Sequence, residues 1–95
     1  MPTTPLGEFL RRRRAAVRPE AVGLPGAGLR RVPGLRRDEV AQLAGVSIDY
    51  YVRLEQGRER GPSAQVLETL SGALRLDADG RDHLYRLAGL APLLR

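Results

Sequence analysis

Ninety-five residues leave room for one modest hydrophobic core and too little chain for a deep active site beside it. The absence of cysteine excludes disulfides, thiolate metal sites and thiol catalysis, and no run approaches the roughly 20 apolar residues that cross a bilayer. The net charge of +5 is concentrated in residues 1–37, where nine arginines face only Glu8 and Glu20, so a polyanionic partner, nucleic acid or a membrane surface, is expected.

Residues 38–95 carry seven arginines against nine acids, so the positive field belongs to the first third of the chain. All sixteen basic residues are arginine, which together with abundant Ala, Gly and Pro reads as the imprint of a GC-rich genome rather than a demand of chemistry. Arg11 to Arg14 interrupt the N-terminal segment, which therefore does not read as a signal peptide, and a soluble, cytoplasmic, nucleoid-associated protein is expected.

In chain order, Thr4 and Pro5 open the first helix, a capping residue followed by a ring that suits the first helical position. Leu6, Phe9 and Leu10 recur at helical spacing, with Ala16 and Val17 continuing the apolar side, and Pro19 ends the run. Residues 19–35 are punctuated by Gly23, Pro25, Gly26, Gly28, Pro33 and Gly34, a long irregular loop with one helical turn near 20–22 and a basic second half. These glycines have no Lys-Ser/Thr after them, so they read as turn residues and not as a phosphate loop.

A second helix is expected over about 36–44, with Val40, Leu43 and Ala44 apolar, and a third over about 47–56, capped by Ser47 and closed by Gly57. Ser63 caps a fourth bearing Val66, Leu67, Leu70, Ala73 and Leu74, and Asp77 a fifth bearing Leu84, Leu87, Ala88 and Leu90. No segment alternates as a strand does, so the expectation is an all-α single domain over 1–95.

Residues 36–57 read RRDEVAQLAGVSIDYYVRLEQG. Two helices joined by a tight turn need a small residue where they cross, here Ala41, and a residue tolerant of positive φ in the turn, here Gly45. Val46, Tyr51 and Leu54 claim the buried side of the third helix, which leaves Ile48, Asp49, Tyr50, Val52 and Arg53 outside. Arg53 is the natural reader of guanine, since a guanidinium can pair with both of its major-groove acceptors. Ile48 and the Tyr50 ring suit a thymine methyl, and Asp49 can accept from cytosine.

This segment resembles the helix-turn-helix of the lambda-repressor-like, or XRE, family of bacterial transcription regulators. The longer string VPGLRRDEVAQLAGVSIDYYVRLEQGRERGPS is similar to an actinobacterial subgroup, whose members often carry a downstream ligand-sensing domain. The resemblance covers about residues 6–90 and implies a five-helix bundle that binds double-stranded DNA, with its third helix in the major groove. It places Ser47, Ile48, Asp49, Tyr50 and Arg53 at the bases and Arg37, Arg58 and Arg60 at phosphates. Beside these, Arg36 is expected to add a phosphate contact and Arg30 and Arg31 to form a basic arm. The resemblance also implies a homodimer on DNA. Two positions depart from the common pattern: Arg36 stands where Ser or Thr usually caps, and the first connection is longer.

Other groupings carry less. Arg11 to Arg14 read first as a solvated face, and Glu55 as a structural group near a helix end. Asp77, Asp79, Gly80 and Asp82 fail as a calcium loop, because Arg75 and Arg86 stand where its first and last acids belong. His83, the one histidine, has no catalytic or metal constellation around it. No enzyme activity, cofactor or metal is expected. The alternative is a protein-interaction module, an antitoxin or adaptor, since residues 47–60 balance three arginines against Asp49, Glu55 and Glu59.

Overall fold

The computed structural model describes residues 4–24, 32–59 and 61–91, so Arg30, Arg31 and Arg60 lie outside the described residues. Among the described residues there are five α-helices, one 3-10 turn and no strand, the all-α architecture expected. The helices are α1 (Pro5–Ala16), α2 (Arg37–Ala44), α3 (Ile48–Glu55), α4 (Ala64–Ala73) and α5 (Ala78–Leu87), and the 3-10 turn is Pro19–Val22.

Four of the five helices start on a side-chain oxygen. The side chains of Thr4, Ser47, Ser63 and Asp77 accept from the backbone N–H three residues on, at 3.0, 3.1, 3.1 and 2.8 Å. Each satisfies one of the donors that a helix start leaves unpaired. The second helix differs. Arg36 occupies its N-cap position but has no acceptor in its side chain, and Glu39 instead reaches back to accept the Arg36 N–H at 2.7 Å. The helix therefore begins at Arg37, one residue later than expected.

The helices pack as α2 on both α3 and α4, α4 on α5, and α1 on both α3 and α5. Leu10, Leu35, Val40, Tyr51, Leu54, Leu67, Leu70, Leu74, Leu84 and Tyr85 form the centre of the core. Leucines and one valine thus fill this centre around two tyrosines, each of which needs a partner for its hydroxyl. Tyr85 donates to the Ala64 carbonyl at 3.2 Å and also bonds the Glu68 carboxylate, which stitches α5 to α4. Three of the positions expected on the apolar sides of the helices are exposed instead: Leu43, Leu90 and Ala16, the last beside the buried Val17. The apolar stripe of α2 is narrower than its sequence implies.

Candidate nucleic-acid interface

The turn between α2 and α3 is built as the residue types require. Gly45 sits at φ 71°, a left-handed conformation that costs glycine little. Its N–H donates to the Gln42 carbonyl at 3.2 Å, and the next N–H, of Val46, donates to the Ala41 carbonyl at 3.0 Å. These bonds satisfy carbonyls that the end of α2 leaves open. They also hold Ser47 where it caps α3. Ala41 and Ala44 are buried, so the two helices approach through small side chains.

Ser47 through Arg53 sort into two sides. Tyr51 is buried with Leu54, while Ser47, Ile48 and Asp49 are exposed and Tyr50, Val52 and Arg53 are half-buried. The hydroxyl of Ser47 is engaged as the cap of α3. Ile48, at the start of α3, is the most exposed large apolar side chain among the described residues, at 47%. Asp49 makes no side-chain hydrogen bond or ion pair among the described residues, and it stands in the first turn of α3. Burial first, and then the charge of Glu59, push the Tyr50 phenol above its ordinary pKa.

The inner side of α3 ends in a buried ionic cluster around Glu55, whose side chain is only 1% exposed. Arg14 of α1 donates Nε to Glu55 Oε2 at 2.6 Å and Nη2 to Oε1 at 3.2 Å, a bidentate pair. Its Nη1 donates to the Leu35 carbonyl at 3.0 Å. The Tyr51 hydroxyl donates to Glu55 Oε2 at 2.6 Å, and Arg37 at the start of α2 donates Nε to Oε1 at 3.0 Å. One carboxylate thus joins α1, α2 and α3 and the segment leading into α2. Burial alone would raise the Glu55 pKa, but the bonds from Arg14, Tyr51 and Arg37 outweigh it and the pKa is lowered. Burial and the adjacent carboxylate push the Tyr51 phenol far up, so it remains the donor.

This cluster corrects the reading of the basic run in α1. Arg11 and Arg12 pair with Glu8 on the surface, whereas Arg14 is a half-buried cation that faces the Glu55 carboxylate rather than solvent. No local signal marks Arg14, because its partner is far along the chain. Glu55, read from the sequence as a structural group near a helix end, is the centre of this cluster.

The remaining candidate arginines gather around the ends of α2 and α3. Arg36 turns onto Asp38 at 3.1 Å and Glu39 at 3.7 Å. Arg53 donates Nε to Glu59 Oε1 at 3.1 Å, with its guanidinium 5.9 Å from the centre of the Tyr50 ring. Arg58 donates Nε to the Gln56 amide oxygen at 2.9 Å. Arg37, Arg53 and Arg58 therefore meet the last turns of α3 rather than its N-terminus, and each has its Nε tied to an oxygen of the protein. Sequence reasoning missed the Arg53–Glu59 pair because it depends on how the chain reverses after Gly57, where the N–H groups of Arg58 and Glu59 return to the Arg53 carbonyl.

No group of three or more His, Cys, Asp or Glu among the described residues could hold a metal ion. No helix among them is long and apolar enough to cross a membrane. A family model for a helix-turn-helix domain matches residues 5–84, which takes in α1 to α4 and most of α5. No curated protein and no solved structure matches the chain. With the turn at Gly45, the capped α3 and a match running from the first residue of α1 into α5, the chain belongs to the helix-turn-helix domain family.

Proposed function

We propose that the chain reads double-stranded DNA as the DNA-binding domain of a lambda-repressor-like transcription regulator, with residues 47–56 in the major groove. One observation carries this reading. The face of α3 that the bundle leaves uncovered presents Ile48, Asp49, Tyr50 and Arg53, an apolar contact, an acceptor, an aromatic ring and a cation. That assortment matches what base edges offer, namely methyl groups, amino donors and paired acceptors. Arg36, Arg37 and Arg58 flank it and supply phosphate contacts that position the domain without reading sequence.

One α3 spans only part of an operator. Two copies on half-sites about one helical turn apart, roughly 34 Å, complete the site in a homodimer on DNA. The nucleoid is where such a regulator works. Membership of the XRE group and the actinobacterial subgroup belongs to this proposal, as does the assignment of all 95 residues to one domain.

Affinity for random-sequence duplex measured across salt concentrations tests the reading. Counterion release gives a log–log slope of about −0.9 for each phosphate contacted. Arg58→Ala is expected to reduce the magnitude of that slope by about 1 while weakening all sequences alike. If no salt-sensitive binding appears even when the chain is artificially dimerised, the DNA reading is wrong and the α3 surface serves a protein partner.

A further inference from the structure

We infer that Glu59 is the positioning residue for base readout: it ties Arg53 Nε so that only the Nη edge of the guanidinium faces a base pair. The inference rests on the DNA reading above and goes beyond it. Glu59 lies outside α3, four residues past its end, yet returns to Arg53 twice. Its backbone N–H donates to the Arg53 carbonyl at 3.2 Å, beside the N–H of Arg58 at 2.8 Å. Its side chain accepts from Arg53 Nε at 3.1 Å.

The two long side chains are thus brought together by the backbone, which removes much of the entropy cost that weakens ordinary surface pairs. The Tyr50 ring lies 5.9 Å from the guanidinium carbon and limits Arg53 from another side. Neither Nη of Arg53 has a hydrogen-bond partner among the described residues. An arginine can address two acceptors through Nε and one Nη or through both Nη groups. With Nε occupied, only the second mode remains.

Guanine offers two adjacent acceptors to that edge, whereas adenine puts an amino donor where the second acceptor would be. A fixed Nη pair therefore selects guanine. Glu59 also bears a negative charge where a phosphate would otherwise capture a freely moving Arg53. The residue gives up some general affinity and gains discrimination. A purely structural acid would do neither.

Enrichment of bound sequences from a randomised duplex pool, run on wild type, Arg53→Ala, Glu59→Ala and Glu59→Gln, distinguishes these roles. Arg53→Ala marks the guanine position by reducing its preference roughly tenfold or more. Glu59→Ala is expected to lose several-fold of preference at that same position and no other, while binding unselected duplex more tightly. Glu59→Gln keeps an acceptor for Nε and is expected to retain the guanine preference. The pair is partly exposed, so folding of these variants is not at stake, and matched thermal melts confirm it. A wild-type motif that Glu59→Ala leaves intact overturns the assignment alone. A pool from which wild type enriches nothing overturns the DNA reading itself, and the assignment falls with it.

Discussion

Glu55→Ala is expected to lower stability by about 3–5 kcal/mol, the usual cost of removing one partner from a buried ion pair. The loss falls on the groups left behind. Arg14, whose side chain is 13% exposed, would keep its charge with only the Leu35 carbonyl for company, and the buried Tyr51 hydroxyl would lose its acceptor. Domains of this kind have about 5–15 kcal/mol in total, so the variant stands near the unfolding threshold. Glu55→Gln, which keeps an acceptor and the shape, is expected to lose less and to melt measurably. The pKa of Glu55 is lowered in the fold, so its contribution is complete above the ordinary carboxylate value of 4.5 and is lost as pH falls through the folded value. Denaturant unfolding at neutral pH and below pH 4.5 checks both effects. The Gln variant should show a smaller acid-dependent loss than wild type, and an Ala variant within about 1 kcal/mol of wild type would contradict the account of the cluster.

Gly34→Ala is expected to cost about 3 kcal/mol, at the upper end for overpacking a tight contact. A Cβ at Gly34 would lie 2.4 Å from the backbone oxygens of both Arg14 and Ala15, which cannot move aside as a flexible side chain would. The next residue, Leu35, donates its N–H to the Arg14 carbonyl at 3.0 Å and is itself fully buried. Pushing residues 34 and 35 off the end of α1 would therefore also disturb the Arg14 guanidinium that holds the Leu35 carbonyl. The melting temperature should fall by about 12–24 °C, at roughly 4–8 °C per kcal/mol for a domain of this size. A fall of less than about 4 °C would mean that the segment relaxes without cost.

Much of the fold was legible because its signals are local. Thr4, Ser47, Ser63 and Asp77 cap helices through a bond three residues away, and the chain between cap and donor is short enough for residue type alone to decide. Gly45 in the turn and the 3-10 turn at Pro19–Val22 are equally local. The rest depends on partners distant in sequence. Arg14 looked like one member of a solvated run because Glu55 is 41 residues away. Gly34 looked like turn punctuation because its close contact is with the far end of α1. Leu43 looked buried by its spacing, yet α2 has only one covered side, formed against α3 and α4. At the candidate interface the exposure of Ile48 and Asp49 followed from periodicity, but Arg53 is half-buried and its tie to Glu59 followed from a chain reversal that periodicity does not describe.

The central claim is that the uncovered face of α3 meets DNA. Backbone-amide NMR of the chain, titrated with a duplex enriched from the random pool, tests it most directly. The account predicts that the largest shift changes fall on residues 47–53, with smaller ones at Arg36, Arg37 and Arg58. Changes centred instead on the contact between α1 and α5, around Phe9 and His83, with residues 47–53 unmoved, would contradict it.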